Sequence, residues 1–124
     1  TEGAVDRAAV GPFREAVNAG QTALWNFRRG DAGRLAAAAE LLAQSPAPTP
    51  AAAALREGLK ALVARAGETA ADKSLSEPKR EKRLRQLDAD LDEWQEQFAL
   101  WSRTEGKEIG VSMQQPGEPA GEKR

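Results

Sequence analysis

Five cations, Lys79, Arg80, Lys82, Arg83 and Arg85, follow directly on Ser76-Glu77-Pro78, and five carboxylates come next at Asp88, Asp90, Asp92, Glu93 and Glu96. Cations gathered at a helix start are the residues that meet phosphates, so positions 79–85 are the candidate contacts for a nucleic acid. Two features oppose that use. No aromatic is interleaved for base stacking, and the acidic half would repel the same polyanion. The carboxylates suggest cation binding, but a calcium loop needs non-helical backbone with a tight glycine turn, whereas this run carries a helical pattern. A solvated helix face accounts for it better.

The chain of 124 residues has no His, no Cys and no Tyr. The commonest metal ligand, the thiol nucleophile and the commonest general acid or base are therefore missing. No pair of carboxylates marks a cleft for acid–base work. The expectation is a non-enzymatic protein with no catalytic, cofactor-binding or metal-binding residues. Lys and Arg total 18 against 19 Asp and Glu, a formal net charge of −1. The molecule as a whole thus has little field to draw it onto nucleic acid or an anionic membrane, and any such binding must come from a local patch.

No apolar run approaches the roughly 20 residues that cross a bilayer, and the first residues lack a signal-peptide pattern. A cytoplasmic location is the slight preference. Because the sequence starts at Thr1 rather than Met, processing and export stay compatible with it.

The elements that must position these groups are all helical. Leu84, Leu87, Leu91, Trp94, Phe98 and Trp101 follow one another at spacings alternating between three and four, the seam of a helix over 77–104. Ser74 or Ser76 caps it, with Pro78 in its first turn. Gly11-Pro12 opens an earlier helix over 12–29, with Phe13, Val17, Gly20, Leu24 and Phe27 on one face and Gly30 closing it. Trp25 lies off that stripe. Asp31 caps a short helix over 32–44 that carries Leu35, Ala38, Ala39 and Leu42. Three alternating prolines, Pro46, Pro48 and Pro50, make an extended connection. Thr49-Pro50 then starts a helix over 50–72 carrying Leu55, Leu59, Leu62, Val63 and Ala66.

Trp94, Phe98 and Trp101 are too bulky for repeated core positions between two close helices, which argues against a two-stranded coiled coil. The predicted fold is an all-α, four-helix up-and-down bundle over residues 1–105, followed by a flexible tail over 106–124 that is rich in Gly, Pro and Glu. Within that tail Ile109, Val111 and Met113 alternate, a pattern that suits either a short docked strand or no structure. Charges supply a register for the last two helices as an antiparallel hairpin. Arg56 and Lys60 fall level with Asp90 and Glu93, and Glu68 and Asp72 fall level with Lys79 and Lys82.

Gly30-Asp31 with Leu35, Ala39 and Leu42 resembles half a tetratricopeptide unit, though no second unit follows at the expected 34-residue period. The stretch Leu84-Arg85-Gln86-Leu87-Asp88-Ala89-Asp90-Leu91 is similar to the opening helix of the all-helical chorismate mutases. In that family this helix begins the domain and later helices add active-site groups. Here it is the last helix, so no catalytic role transfers.

The leading functional expectation is a protein-interaction module, such as an adaptor, chaperone-like, sensor-bundle or assembly subunit, that uses a helix face on a protein partner or on a second copy. Trp25, Leu100 and Trp101 are its candidate contacts. Nucleic-acid binding through Lys79, Arg80, Lys82, Arg83 and Arg85 is the alternative.

Overall fold

The computed structural model describes residues 6–109. All their regular structure is helical: a single 3-10 turn at Arg7–Ala9, then α1 (Val10–Arg28), α2 (Leu35–Gln44), α3 (Pro50–Ala71), α4 (Glu77–Arg103) and the one-turn α5 (Glu105–Glu108). None of the described helices is long and apolar enough to cross a membrane.

The helix starts follow local chemistry in three places. The Thr49 hydroxyl accepts from the Ala52 amide and Pro50 opens α3; Ser76, rather than Ser74, accepts from the Lys79 amide and so caps α4. Asp6 caps the 3-10 turn, which leads into α1 two residues before the expected start. Pro12 then occupies the first turn, where its missing N–H costs no hydrogen bond. Asp31 does not cap α2. Its carboxylate accepts from the Gly33 amide in a local turn, and α2 begins only at Leu35 without a side-chain cap.

The core joins one face of each long helix. Phe13, Leu24, Leu42, Leu59 and Val63 are fully enclosed, with Leu87, Trp94, Phe98 and Trp101 closing the α4 side. α3 is the central element, backing onto α1, α2 and α4, while α1 also packs on α2. Gly20 allows the α1–α3 approach: a Cβ built there would stand 2.8 Å from a methyl of Leu59 and 3.1 Å from one of Leu42. Among the described residues, α1 and α4 share no pair of Cα atoms within 8 Å and meet through long side chains instead. Phe13 lies edge-on to Trp101 at 5.6 Å between ring centroids, and Arg28 bonds Asp88 with two hydrogen bonds of 2.8 Å. These two contacts make α1 and α4 antiparallel.

Opposite charges do pair between α3 and α4, but each observed partner stands about one helical turn from the one expected. Arg65, not Lys60, pairs with Asp90 at 2.7 Å, and Arg83, not Lys79, approaches Asp72 at 3.9 Å. Lys60 instead pairs with Glu57 on its own helix, and Arg56 divides between Glu57 and the Ser45 carbonyl. The reason is helical phase and reach: a cation a turn away on the face toward the groove can reach a carboxylate that a cation at its own level, turned elsewhere, does not. Past α4 the chain stays folded for one more turn. Ile109 is buried at the end of α5, not in a strand, while Val111 and Met113 lie outside the described residues.

Candidate interaction surface

The three tryptophans separate into two environments. Trp94 and Trp101 are 5% and 7% exposed, and each indole N–H has an acceptor: the Leu55 carbonyl at 2.8 Å and the Glu105 carboxylate at 2.7 Å. Phe98 stacks between them, with ring centroids 5.1 Å from Trp94 and 5.7 Å from Trp101. Burial of indoles requires such acceptors, since an unpaired N–H in the core is costly. Trp25 is different. It is 51% exposed on α1, and the Arg29 guanidinium lies 4.4 Å over its ring. Leu100 on α4 is 58% exposed.

Trp101 is therefore withdrawn from the set of exposed contacts. Its position on the seam turns it toward Phe13, and Gly106 of α5 lies against its benzo ring. Trp25 and Leu100 remain, but they do not form one patch. Leu100 neighbours Trp101, which touches Phe13, and Trp25 is about 18 Å further along α1 at 1.5 Å per residue.

The helix also splits the basic run. Lys79, Arg83 and Gln86 share the flank toward α3, while Glu77, Glu81 and Asp88 share the flank toward α1. Between the flanks, Arg80 continues the seam four and seven residues before Leu84 and Leu87 and donates to the carbonyls of Thr69 at 2.9 Å and Asp72 at 3.0 Å, so it closes the end of α3 where carbonyls lack helical partners. On the flank toward α1, the Asp88 hydrogen bond raises Arg28 above its ordinary pKa against a smaller loss from burial, with Asp88 and Glu81 adding their charge. The two flanks leave Lys79, Lys82 and Arg85 without an ion-pair partner among the described residues.

Asp72 is held below the usual carboxylate range, first by the Ser74 hydroxyl and amide, then by the charges of Arg83 and Arg80. Asp90 is likewise lowered, chiefly by its Arg65 hydrogen bond, with Gln86 adding a second donor. Between these helices opens a cleft of about 350 Å³ lined by Arg65, Glu68, Thr69, Arg83, Gln86 and Leu87. Charges of both signs line it, and none of its side chains is a nucleophile activated by a neighbouring base. Among the described residues no three Asp or Glu side chains converge to hold a metal ion.

Several residues of structural consequence carry no local signal. Arg28 and Asp88 are sixty residues apart and meet only because α1 docks beside α4. Glu105 follows Trp101 at helical spacing, yet its second partner, the Thr49 hydroxyl, belongs to a different helix.

The fold and surface define the class no more narrowly than a small all-helical protein. Compared with models of protein families, with curated proteins and with solved structures, the chain matches none.

Proposed function

We propose that this protein is a non-catalytic interaction module whose helices, read as an up-and-down bundle, present α1 around Trp25 to a protein partner. The observation that carries the reading is the half-exposed Trp25 under the Arg29 guanidinium, in a chain whose other two tryptophans are buried with satisfied N–H groups. Trp supplies large contact area at modest entropic cost, and Trp and Arg are among the residue types that dominate binding energy at interfaces. Leu100 forms a second, separate apolar contact near the other end of α4.

The test is quantitative capture from an extract of the source cells by the wild-type chain, Trp25→Ala and Leu100→Ala. Loss of a specific captured protein with Trp25→Ala is the expected result. Equal capture by all three chains, or none by the wild type together with a monomeric mass in solution, would sink the reading.

Nucleic-acid binding through Lys79, Arg80, Lys82, Arg83 and Arg85 has narrower support, because Arg80 and Arg83 already serve the end of α3 and acids occupy the other flank. It requires salt-sensitive binding that weakens in Lys82→Gln with Arg83→Gln.

A further inference from the structure

The two exposed apolar side chains stand among charges of opposite sign. Trp25 shares the outer face of α1 with Arg14 and Asn18, and the face ends at Arg29, whose guanidinium covers the indole. The only carboxylate within α1 is Glu15, nearly three turns before Trp25. Leu100 shares the outer face of α4 with Glu96, one turn before it, and Glu93, two turns before it, both exposed. Arg14, Arg29, Glu93 and Glu96 have no ion-pair partner among the described residues. Two α1 faces therefore repel each other at Arg29, and two α4 faces repel at Glu93 and Glu96. An α1 face and an α4 face attract.

We infer that the occupant of the Trp25 face is the Leu100 face of a second copy of this chain. The inference rests on the interaction reading above and names its partner. Charge fixes the direction of the two helices. With Trp25 against Leu100 of the second copy and the helices antiparallel, Arg29 falls level with Glu96, and Arg103 falls level with the uncharged Thr22. With the helices parallel, Arg103 falls level with Arg28 and Glu96 with Gln21, so cations meet and the carboxylate has no partner. The antiparallel register also sets the symmetry. Inside one copy Arg28 meets Asp88 and Phe13 meets Trp101, which puts Trp25 level with about position 90 of α4 rather than position 100. Each contact thus staggers the second copy by about ten residues, roughly 15 Å along the helices. A two-fold axis along the helices would preserve the levels, and one across them would make α1 and α4 parallel, so neither gives this contact. The pairing is head-to-tail, leaves one free face at each end, and continues past a dimer. One helix laid on another buries less than the roughly 1,200 Å² of stable interfaces, so the association is weak and follows concentration.

The experiment is sedimentation of the purified full chain from micromolar to near-millimolar concentration, at low and high salt. The average mass should rise with concentration past that of a dimer, and less steeply at high salt. Trp25→Ala should weaken the association about tenfold or more, and Leu100→Ala by less. Arg29→Glu and Glu96→Lys should each weaken it about three- to tenfold, because each sets like charges against one another. The double variant Arg29→Glu with Glu96→Lys restores opposite charges and should recover the wild-type association. All four positions are exposed, so circular dichroism should show the same helix content in every variant. A wild type that stays monomeric throughout overturns the inference, as does a double variant no better than the single ones. So does growth in mass that Trp25→Ala leaves unchanged. Capture from the extract separates this failure from that of the interaction reading. A monomeric chain whose captured protein is lost with Trp25→Ala has a different protein on that face, which refutes the self-pairing alone. A monomeric chain that captures nothing refutes both.

Discussion

Replacing Trp94 by Ala tests the assignment of the aromatic wall, with Trp25→Ala as its internal control. Trp94 stacks at 6° on Phe98, packs 3.1 Å from where a Cβ at Gly58 would lie and donates to the Leu55 carbonyl. Emptying such a site removes transfer energy and leaves a cavity, typically about 3–5 kcal/mol for a buried Trp. Trp25→Ala forfeits an exposed cation–π contact of roughly 0.5–1 kcal/mol and recovers a few tenths through the better helix propensity of Ala. The two changes should thus differ by about 2–4 kcal/mol, although both delete the same side chain. Urea unfolding followed by helical circular dichroism reads this directly. With a slope of about 1.5 kcal/mol per M, the Trp94→Ala midpoint falls by about 2–3 M, and the Trp25→Ala midpoint by under about 0.5 M. Trp94→Phe, which keeps a ring but loses the N–H donor, should fall between them. Equal midpoints for Trp94→Ala and Trp25→Ala would refute the division into core and surface tryptophans.

Acid should weaken the α3–α4 junction in a way that Asp90 accounts for in part. Its folded pKa lies below the ordinary 3.8 because Arg65 and Gln86 bond the charged form. The stabilisation is therefore present above the unfolded value and is lost as pH falls through the lower folded one. Asp90→Asn should flatten the acid limb of a plot of unfolding midpoint against pH; an unchanged limb would show that the Arg65 pair has no net effect. At Gly20, Ala gains up to about 1 kcal/mol in helix propensity but meets Leu59 and Leu42, both fully buried, and overpacking costs about 1–3 kcal/mol. A net fall in melting temperature is expected, larger for Gly20→Val. A rise for Gly20→Ala would mean that α1 and α3 stand further apart.

Much of the helical outline is legible because its causes are local. Thr49-Pro50 and Ser76 with Pro78 start α3 and α4 where capping chemistry says they should, and the spacing from Leu84 to Trp101 selects the buried face of α4, although Leu84 and Leu91 are only half-buried. The misreadings occur where local chemistry has an alternative. Asp31 satisfies the Gly33 amide in a turn instead of capping a helix. Trp101 looked available near the end of a helix, but α5 folds back over it. The candidate surface was legible only in part: Trp25 and Leu100 stand off their stripes and are exposed, yet nothing along the chain tells that they sit far apart.

The sequence by itself determined the four long helices and the face that each turns inward, though not α5 or the start of α2, since capping, proline placement and apolar spacing act within a few residues. It also determined the residue types on hand for any chemistry, with no thiol, imidazole or phenol among them. Only the tertiary structure decided how the charges and tryptophans are used. Arg28 meets Asp88 across sixty residues, Arg65 rather than Lys60 takes Asp90, and Glu105 links Trp101 to Thr49. Those outcomes depend on the rotation and spacing of packed helices, and several side chains of like charge along one helix are indistinguishable until the packing turns one of them into the groove.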